Sequence, residues 1–435
     1  MKAKIKKIAP KSLVGFYHCL MAFVGAIIYG FPSRKMTIIG VTGTKGKSTT
    51  VILAGKILEE AGFTVGWVSS ATIKVGQKEW LNPYHMTMPG RFILQKLMRQ
   101  MVNQKCQYCL IEVTSEGILQ HRQKFINFNA AIFTNLKPEH IEAHGSFEKY
   151  REAKGKLFQT VNNAHIVNLD DENAGYFLRF PAEKKIGYTL KNPKSKILNP
   201  KQIQNFKFQT VYAENFHETP NGAGFRIQNT DFSLKLVGEF NAYNALAAIC
   251  VGLSQKVPLG VCRKSLEKIN GLPGRMEVII EKPFKVIVDL AHTPDSYKEV
   301  FNVVKKLPHN KIISIFGSAG GGRDKWKRPV LGKIAAEYSD FIILTNEDPY
   351  DENPRQILSE IKSGISNTQF PISKLSLILD RREAIRKGLE TAQDGDVVLI
   401  LGKGTEQSMV VGGNNIPWDD RRVIREELQK MGKVS

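Results

Sequence analysis

The residues best equipped for chemistry begin at Gly40, in the stretch GVTGTKGKSTT. A short apolar strand, Thr37–Val41, runs into a glycine turn, and Lys47 and Ser48 then open a helical pattern that continues through Ala61. Strand, glycine turn and helix N-terminus together make a phosphate cradle. Backbone N–H groups and the helix dipole face the anion, Lys47 reaches the outer phosphates, and the Ser48 hydroxyl can ligate Mg²⁺. Counting back from Gly46, the common pattern G-x-x-x-x-G-K-[ST] asks for glycine where Val41 stands, one residue after Gly40. The stretch admits a variant nucleotide loop or a glycine turn with exposed lysines, and its context favours the loop.

Two further groups of polar residues follow. Glu112 stands at the end of the apolar run Tyr108–Val113. A carboxylate at the carboxyl end of a parallel strand lies in the crevice where open α/β sheets bind ligands. Glu112 could hold a metal there or be an exposed strand-end charge. Residues 134–158, TNLKPEHIEAHGSFEKYREAKGKLF, carry Glu139, His140, His144 and Lys154. Two histidines four apart can share a helix face, but zinc needs a third ligand that this spacing does not supply, so spacing alone leaves them structural.

The elements that must position these groups alternate. Phe63–Ser69, Tyr108–Val113, Ala130–Thr134 and Ala164–Leu169 read as compact apolar strands of the buried parallel type, with a helix over Arg91–Asn103 among them. Such alternation predicts a doubly wound α/β domain. Residues from about 185 to 237 are richer in Asn, Lys and Gln and predict an appended antiparallel section. A helix over Gly238–Leu253 and the turn GLPG at 271–274 form a candidate hinge. Beyond it a second series of strands is predicted at Lys285–Leu290, Lys311–Phe316, Phe341–Thr345, Leu375–Leu379 and Val397–Leu401. The expected organisation is a basic, apolar N-terminal segment over 1–36, a central nucleotide-binding domain over 37–272 and a second α/β domain over 273–435.

Composition narrows the classes. With 435 residues, 42 % hydrophobic and 24 % charged, the chain has the makings of a globular protein of two or three domains. The net charge is +21, but no long basic tract or aromatic–basic interleaving supports nucleic-acid binding. Anionic substrates, nucleotides or an acidic membrane surface account for the excess equally well. Cys19, Cys106, Cys109, Cys250 and Cys262 form no disulfide framework, and the lone C-x-x-C at 106–109 reads as a pair of buried thiols, which fits a reducing cytoplasm. Between Lys11 and Arg34 no charged residue occurs. Leu13, Phe16, Tyr17, Leu20, Met21, Val24, Ile27, Ile28 and Phe31 recur at helical steps, with smaller residues such as Gly15, Ala22, Gly25 and Ala26 opposite. This suits a one-sided helix that docks on its own protein or lies in a membrane interface better than a span, so peripheral membrane contact through residues 12–31 is admitted.

Taken in order, GTKGKST, EVTSEGILQHR, the 134–158 stretch, GEFNAYNALAA, LPGRME, VDLAHTPDS, FGSAGGGRDKWKRP and LGKGTE resemble the Mur ligase family, most closely its members that add the third amino acid to UDP-MurNAc-dipeptide. The likeness spans approximately residues 37 to 410, and the family loop, TGT-x-GK-[ST], tolerates Val41. It implies an ATPase domain with a mostly parallel sheet, a Rossmann-like C-terminal domain, and ATP-dependent amide-bond formation through an acyl phosphate. For ATP it implies Gly43, Thr44, Lys45, Gly46, Lys47, Ser48 and Thr49 of the loop, then Asn135, Asn241 and Asn244. Arg275, Asp289 and His292 would join them from the C-terminal domain. One Mg²⁺ would rest on Ser48 and Glu112, and a second on His140 and Lys154. The family carbamylates this lysine, because an ammonium cannot ligate a cation whereas the carbamate formed with CO₂ offers two anionic oxygens. Lys47, Glu112, His140 and Lys154 are thus the catalytic candidates.

The resemblance also marks departures. Only about 36 residues precede the loop, where family members of this type carry a whole domain for the uridine nucleotide. The acceptor is therefore either a UDP-linked muropeptide recognised differently or a lipid-linked one. Thr87, Thr114, Gln120 and Arg122 match muropeptide-contacting positions, while Met88 replaces a threonine. The amino-acid motif of diaminopimelate-adding members, DNPR, aligns with Glu347, Asp348, Pro349 and Tyr350, which removes an arginine able to clamp a distal carboxylate. Arg323, Gly402 and Glu406 keep the positions that hold the amino acid's own amine and carboxylate. The acidic 347–352 loop points toward a cationic side chain such as lysine or ornithine. Alternatives are a MurT-like subunit acting on lipid-linked muropeptide, a folylpolyglutamate- or cyanophycin-type ligase, and a non-catalytic nucleotide-binding scaffold. The set Lys47, Ser48, Glu112, His140 and Lys154 argues against the scaffold.

Overall fold

The computed structural model of the chain describes residues 11–84, 86–139, 141–191 and 207–432. Nine strands make the first sheet: β1 (Thr37–Thr42), β2 (Val65–Val68), β3 (Thr72–Val75), β4 (Lys78–Leu81), β5 (Tyr108–Glu112), β6 (Ala130–Phe133), β7 (Ala164–Asn168), β8 (Lys184–Thr189) and β9 (Lys207–Tyr212). Their order is β4-β3-β2-β5-β1-β6-β7-β8-β9, parallel from β2 to β9, with β3 and β4 running antiparallel at one edge. Parallel strands are covered on both faces, which is why they read as unbroken apolar runs. The helix Glu239–Ser254 and the loop helix Lys47–Glu60 cover one face, burying Leu246, Ala247 and Ile249 against Val51, Ile57 and Leu58. The helices Arg91–Asn103 and Phe147–Thr160 cover the other.

One expectation needs correction. Residues 184–189 and 207–212 do not belong to an antiparallel appendage; β8 and β9 extend the parallel sheet. Five of the six residues of KKIGYT are buried, so this strand behaves as an interior one despite its lysines. Its polar neighbourhood in sequence comes from residues 192–206, which lie outside the described residues. Among the described residues the antiparallel section comprises β10 (Glu214–Thr219), β11 (Gly222–Ile227) and β12 (Thr230–Leu234).

The second sheet has the order β13-β14-β18-β15-β16-β17, built from β13 (Glu277–Ile280), β14 (Lys285–Asp289), β15 (Ile312–Phe316), β16 (Phe341–Leu344), β17 (Leu375–Leu377) and β18 (Val397–Leu401). All are parallel except β13, an edge strand pairing antiparallel with β14. The five strands expected here are present, and β13 was not expected.

The N-terminal helix, Lys11–Ile28, docks on Arg91–Asn103, but by the opposite face from its large apolar residues. Ala22 and Ala26 are buried and Gly25 approaches Phe92, whereas Phe16 is 67 % and Ile28 62 % exposed. Small residues permit the closer helix approach, which decides the contact. Arg99 secures the helix end by donating to the carbonyls of Tyr29 and Gly30. Among the described residues no helix is long and apolar enough to cross a membrane.

Candidate functional site

The carboxyl ends of β5, β1 and β6 open onto a cleft of about 790 Å³ that the second domain closes from the other side. The phosphate loop leaves β1, and Val41 pairs with Glu112 across to β5, so the glycine turn and the carboxylate emerge side by side. Gly46 shows why glycine is required. Its φ is +78°, and a Cβ there would lie 2.1 Å from Asn244 Oδ1. Asn244 thus packs directly on the loop, and Asn135 fixes its middle, accepting from the Lys45 backbone N–H at 2.9 Å.

At the helix N-terminus the Ser48 hydroxyl donates to Glu112 Oε2 at 2.7 Å, and Ser70 Oγ lies 2.6 Å from Ser48 Oγ. The Ser70 backbone N–H donates to the same carboxylate oxygen at 2.8 Å. Lys47 Nζ donates to the Thr44 carbonyl at 2.7 Å and lies 3.8 Å from Glu112 Oε1. Among the described residues no three His, Cys, Asp or Glu side chains converge on one point. A hydroxyl, one carboxylate and oxygens from phosphates and water are nonetheless the donor set that suits Mg²⁺, which keeps several waters and seldom sits in an all-protein cage.

Lys154 is fully buried, its amine donating to the Gly43 carbonyl at 2.7 Å and lying 4.6 Å from the centre of the Tyr150 ring. Burial, with Lys47 adding repulsion, holds its pKa well below the ordinary lysine value. Tyr150 in turn meets Thr44 Oγ1 at 3.2 Å. His140 lies outside the described residues. His144 contacts Ser115 Oγ at 3.1 Å, and burial lowers its pKa, which fits the structural role that spacing alone suggested.

From the second domain, Arg275 Nη2 reaches Ser48 Oγ and Ser70 Oγ, each at 3.1 Å. His292 Nε2 lies 3.2 Å from Glu139 Oε1. Asp289 lines the cleft, but both its oxygens accept backbone N–H groups, of Met276 and Ala291, each at 2.7 Å. It therefore holds the turn that presents Arg275. Asn241 lines the cleft next to Asn244, accepting from its side chain at 3.3 Å.

Thr87, Met88, Thr114 and Arg122 line the end of the cleft nearer the first domain. Arg122 donates to the Met88 carbonyl and, at 2.8 Å, to Gln120 Oε1, so Gln120 positions the arginine and is not itself among the lining residues. Arg323, Glu347, Asp348, Tyr350, Gly402 and Glu406 line the far end, and Pro349 does not. Asp348 receives Lys403 Nζ at 2.7 Å and the Val410 N–H at 2.8 Å, so its charge is already answered. Glu347 is buried against Gly402, burial raising its pKa, and its Oε2 has no hydrogen-bond partner among the described residues. The acidic loop is thus less available to a cationic side chain than its composition suggests.

Sequence reasoning missed Ser70, Tyr150 and Lys327, all lining the cleft. Ser70 follows β2 at the same carboxyl edge as Glu112, and Tyr150 precedes Lys154 by one helical turn; either signal could have found them. Lys327 Nζ donates to the His292 carbonyl at 2.9 Å, a contact that only the tertiary fold creates.

A phosphate loop with an adjoining carboxylate, facing an arginine delivered by a second α/β domain, defines a two-domain enzyme that works on a nucleotide. Two family models match this chain: the Mur ligase middle domain over residues 41–252 and the Mur ligase glutamate ligase domain over residues 274–404. The UDP-N-acetylmuramoyl-L-alanyl-D-glutamate--2,6-diaminopimelate ligase of Caldanaerobacter subterraneus is 35 % identical over 418 residues, covering 95 % of this chain and 82 % of that one. The UDP-N-acetylmuramyl-tripeptide synthetase of a Roseiflexus species is 36 % identical over 434 residues, with the same coverage of 95 % and 82 %. A solved structure of a diaminopimelate ligase of this type superposes with a TM-score of 0.58 at 28 % identity, covering 92 % of this chain and 79 % of that one.

The chain belongs to the Mur ligase family. It is an ATP-dependent acid–amino-acid ligase that adds an amino acid to a muramyl-peptide carboxylate in peptidoglycan precursor synthesis, and Mur ligases use ATP and Mg²⁺.

Proposed function

We propose that this chain joins a diamino acid to the dipeptide of a UDP-linked muramyl acceptor, with residues 37–272 holding ATP and acceptor and residues 273–435 holding the incoming amino acid. Diaminopimelate is the amino acid in the names of several relatives, and lysine and ornithine share its distal ammonium. Lys47 and the loop N–H groups hold the outer phosphates while the γ-phosphoryl passes to the acceptor carboxylate. Ser48 and Glu112 are the residues that would hold one Mg²⁺, which offsets the repulsion between ATP and carboxylate when bound. Arg275, crossing from the second domain, closes the cleft and helps exclude water that would hydrolyse the acyl phosphate. Arg323 and Glu406 hold the carboxylate and ammonium of the amino acid, whose amine then displaces phosphate. Thr87, Thr114 and Arg122 hold the acceptor.

Carbamylation of Lys154 is the finer part of this reading. A carbamate forms when the neutral amine attacks CO₂ and releases a proton. The observation that supports it is an amine fully buried in the cleft wall, with its pKa held well below 10.5, so that the neutral form is accessible. Together with His140 it would serve a second cation. The test is phosphate release from ATP in the presence of UDP-MurNAc-dipeptide and each diamino acid in turn. Release that needs both co-substrates supports the reading; release with folate and glutamate but with no muropeptide would overturn it.

A further inference from the structure

The outward face of the Lys11–Ile28 helix has no partner role in the ligase chemistry, and its side chains are of the wrong kind for a surface in water. Leu13 is 59 %, Phe16 67 %, Ile27 51 % and Ile28 62 % exposed, with Tyr17, Leu20 and Phe23 beside them. Phe125 extends the patch from a neighbouring loop, its ring centre 5.1 Å from that of Phe23. The inward face is already committed to Arg91–Asn103 through Ala22, Gly25 and Ala26, so rotation cannot hide the outer one without giving up that packing.

Charge decides what covers it. The first 36 residues hold seven Lys and Arg and no Asp or Glu. The helix beneath, Arg91–Asn103, and the loop 117–129 likewise contain basic residues and no acidic one. An apolar patch whose described flanking segments carry Arg34, Lys35, Arg91, Lys96, Arg99 and Lys124 disfavours its own copy and suits an anionic surface. With the apolar face too one-sided to cross a bilayer, the arrangement is that of an interfacial helix lying at the boundary of headgroups and acyl chains.

We propose that this face docks the enzyme on an anionic bilayer leaflet. The docked orientation has a consequence for the cleft. His18 on the helix contacts Arg91 at 2.7 Å, Arg91 donates to the Gln120 carbonyl at 2.8 Å, and Gln120 holds Arg122 on the cleft wall. The lipid surface therefore lies behind the wall where Met88 and Arg122 meet the cleft. This docking does not rest on the identity of the amino acid or the acceptor.

The test is sedimentation of the full chain with vesicles of phosphatidylglycerol and phosphatidylcholine in equal parts, and with phosphatidylcholine alone. Binding to the anionic vesicles is expected to be about tenfold or more tighter, and to weaken with salt. The double variant Phe16→Asp, Ile27→Asp changes only exposed positions and is expected to bind at least about tenfold more weakly, while ATP-dependent phosphate release on soluble substrates is unchanged. No preference for anionic vesicles, or equal binding by the double variant, would overturn the proposal. A concentration-dependent dimer without vesicle binding, dispersed by the same substitutions, would overturn it in favour of a second copy of the chain.

Discussion

Arg275 Nη2 lies 3.1 Å from Ser48 Oγ, joining two residues 227 positions apart and the two α/β units of the chain. The guanidinium bridges the Ser48 and Ser70 hydroxyls beside Glu112, where the chemistry calls for a cation. The arginine thus brings a positive charge from the second domain to these groups, and Asp289 fixes the turn that carries it by accepting the Met276 N–H. Arg275→Ala should lower kcat by about 10- to 100-fold through incomplete closure, with a smaller change in ATP affinity. Steady-state kinetics and equilibrium ATP binding on the same preparations check the split.

Lys154→Ala should abolish most activity, and a small carboxylate such as formate or acetate should restore part of it by replacing the missing anion. Activity assays across a formate series read the rescue. Full activity of the unmodified enzyme in bicarbonate-free buffer would count against the carbamate.

The same lysine has a stability consequence. Its folded pKa lies well below 10.5, so between the folded and unfolded values the unfolded chain binds more protons and stability rises with pH. At neutral pH the buried amine is therefore a liability. Lys154→Met in bicarbonate-free buffer should raise stability near pH 7, the margin shrinking as pH approaches 10.5. Chemical denaturation at several pH values measures it.

Gly46→Ala places a methyl group 2.1 Å from Asn244 Oδ1 and demands a positive φ of a residue that resists it. A loss of about 1–3 kcal/mol in stability and a marked weakening of ATP binding are expected. Thermal unfolding with and without ATP separates the two.

Tyr350 occupies the last position of EDPY at the far end of the cleft, with a φ of +53°. Tyr350→Arg would supply a bidentate partner for a distal carboxylate and should raise the preference for diaminopimelate over lysine by about tenfold or more. Competing the two amino acids in one assay reads the ratio.

Much of this was legible from sequence where a single physical pattern ruled. Val397–Leu401 and Ala130–Phe133 are apolar runs because parallel strands bury both faces. The loop and Glu112 could be placed in one cleft because the carboxyl edge of such a sheet is where ligands bind, whereas Lys154, on the helix Phe147–Thr160, was carried there only by the family resemblance. Patterns failed where tertiary contact overrode them. Lys184–Thr189 was hidden among polar neighbours, and the Lys11–Ile28 helix turned its small face inward because close packing on Arg91–Asn103 outweighed burial of larger side chains. Asp289 lines the cleft as expected, but no sequence pattern signalled that both its oxygens accept backbone N–H groups, one from Ala291 beside it and one from Met276 in the preceding turn.

The most direct measurement follows ADP formation by the purified chain with Mg²⁺-ATP, UDP-MurNAc-dipeptide and diaminopimelate or lysine, with the product identified by mass. The account predicts one ADP per new amide bond, dependent on both co-substrates and lost in Lys47→Ala. ADP formed without any muramyl tripeptide, or a Lys47→Ala variant as active as the parent, would contradict it.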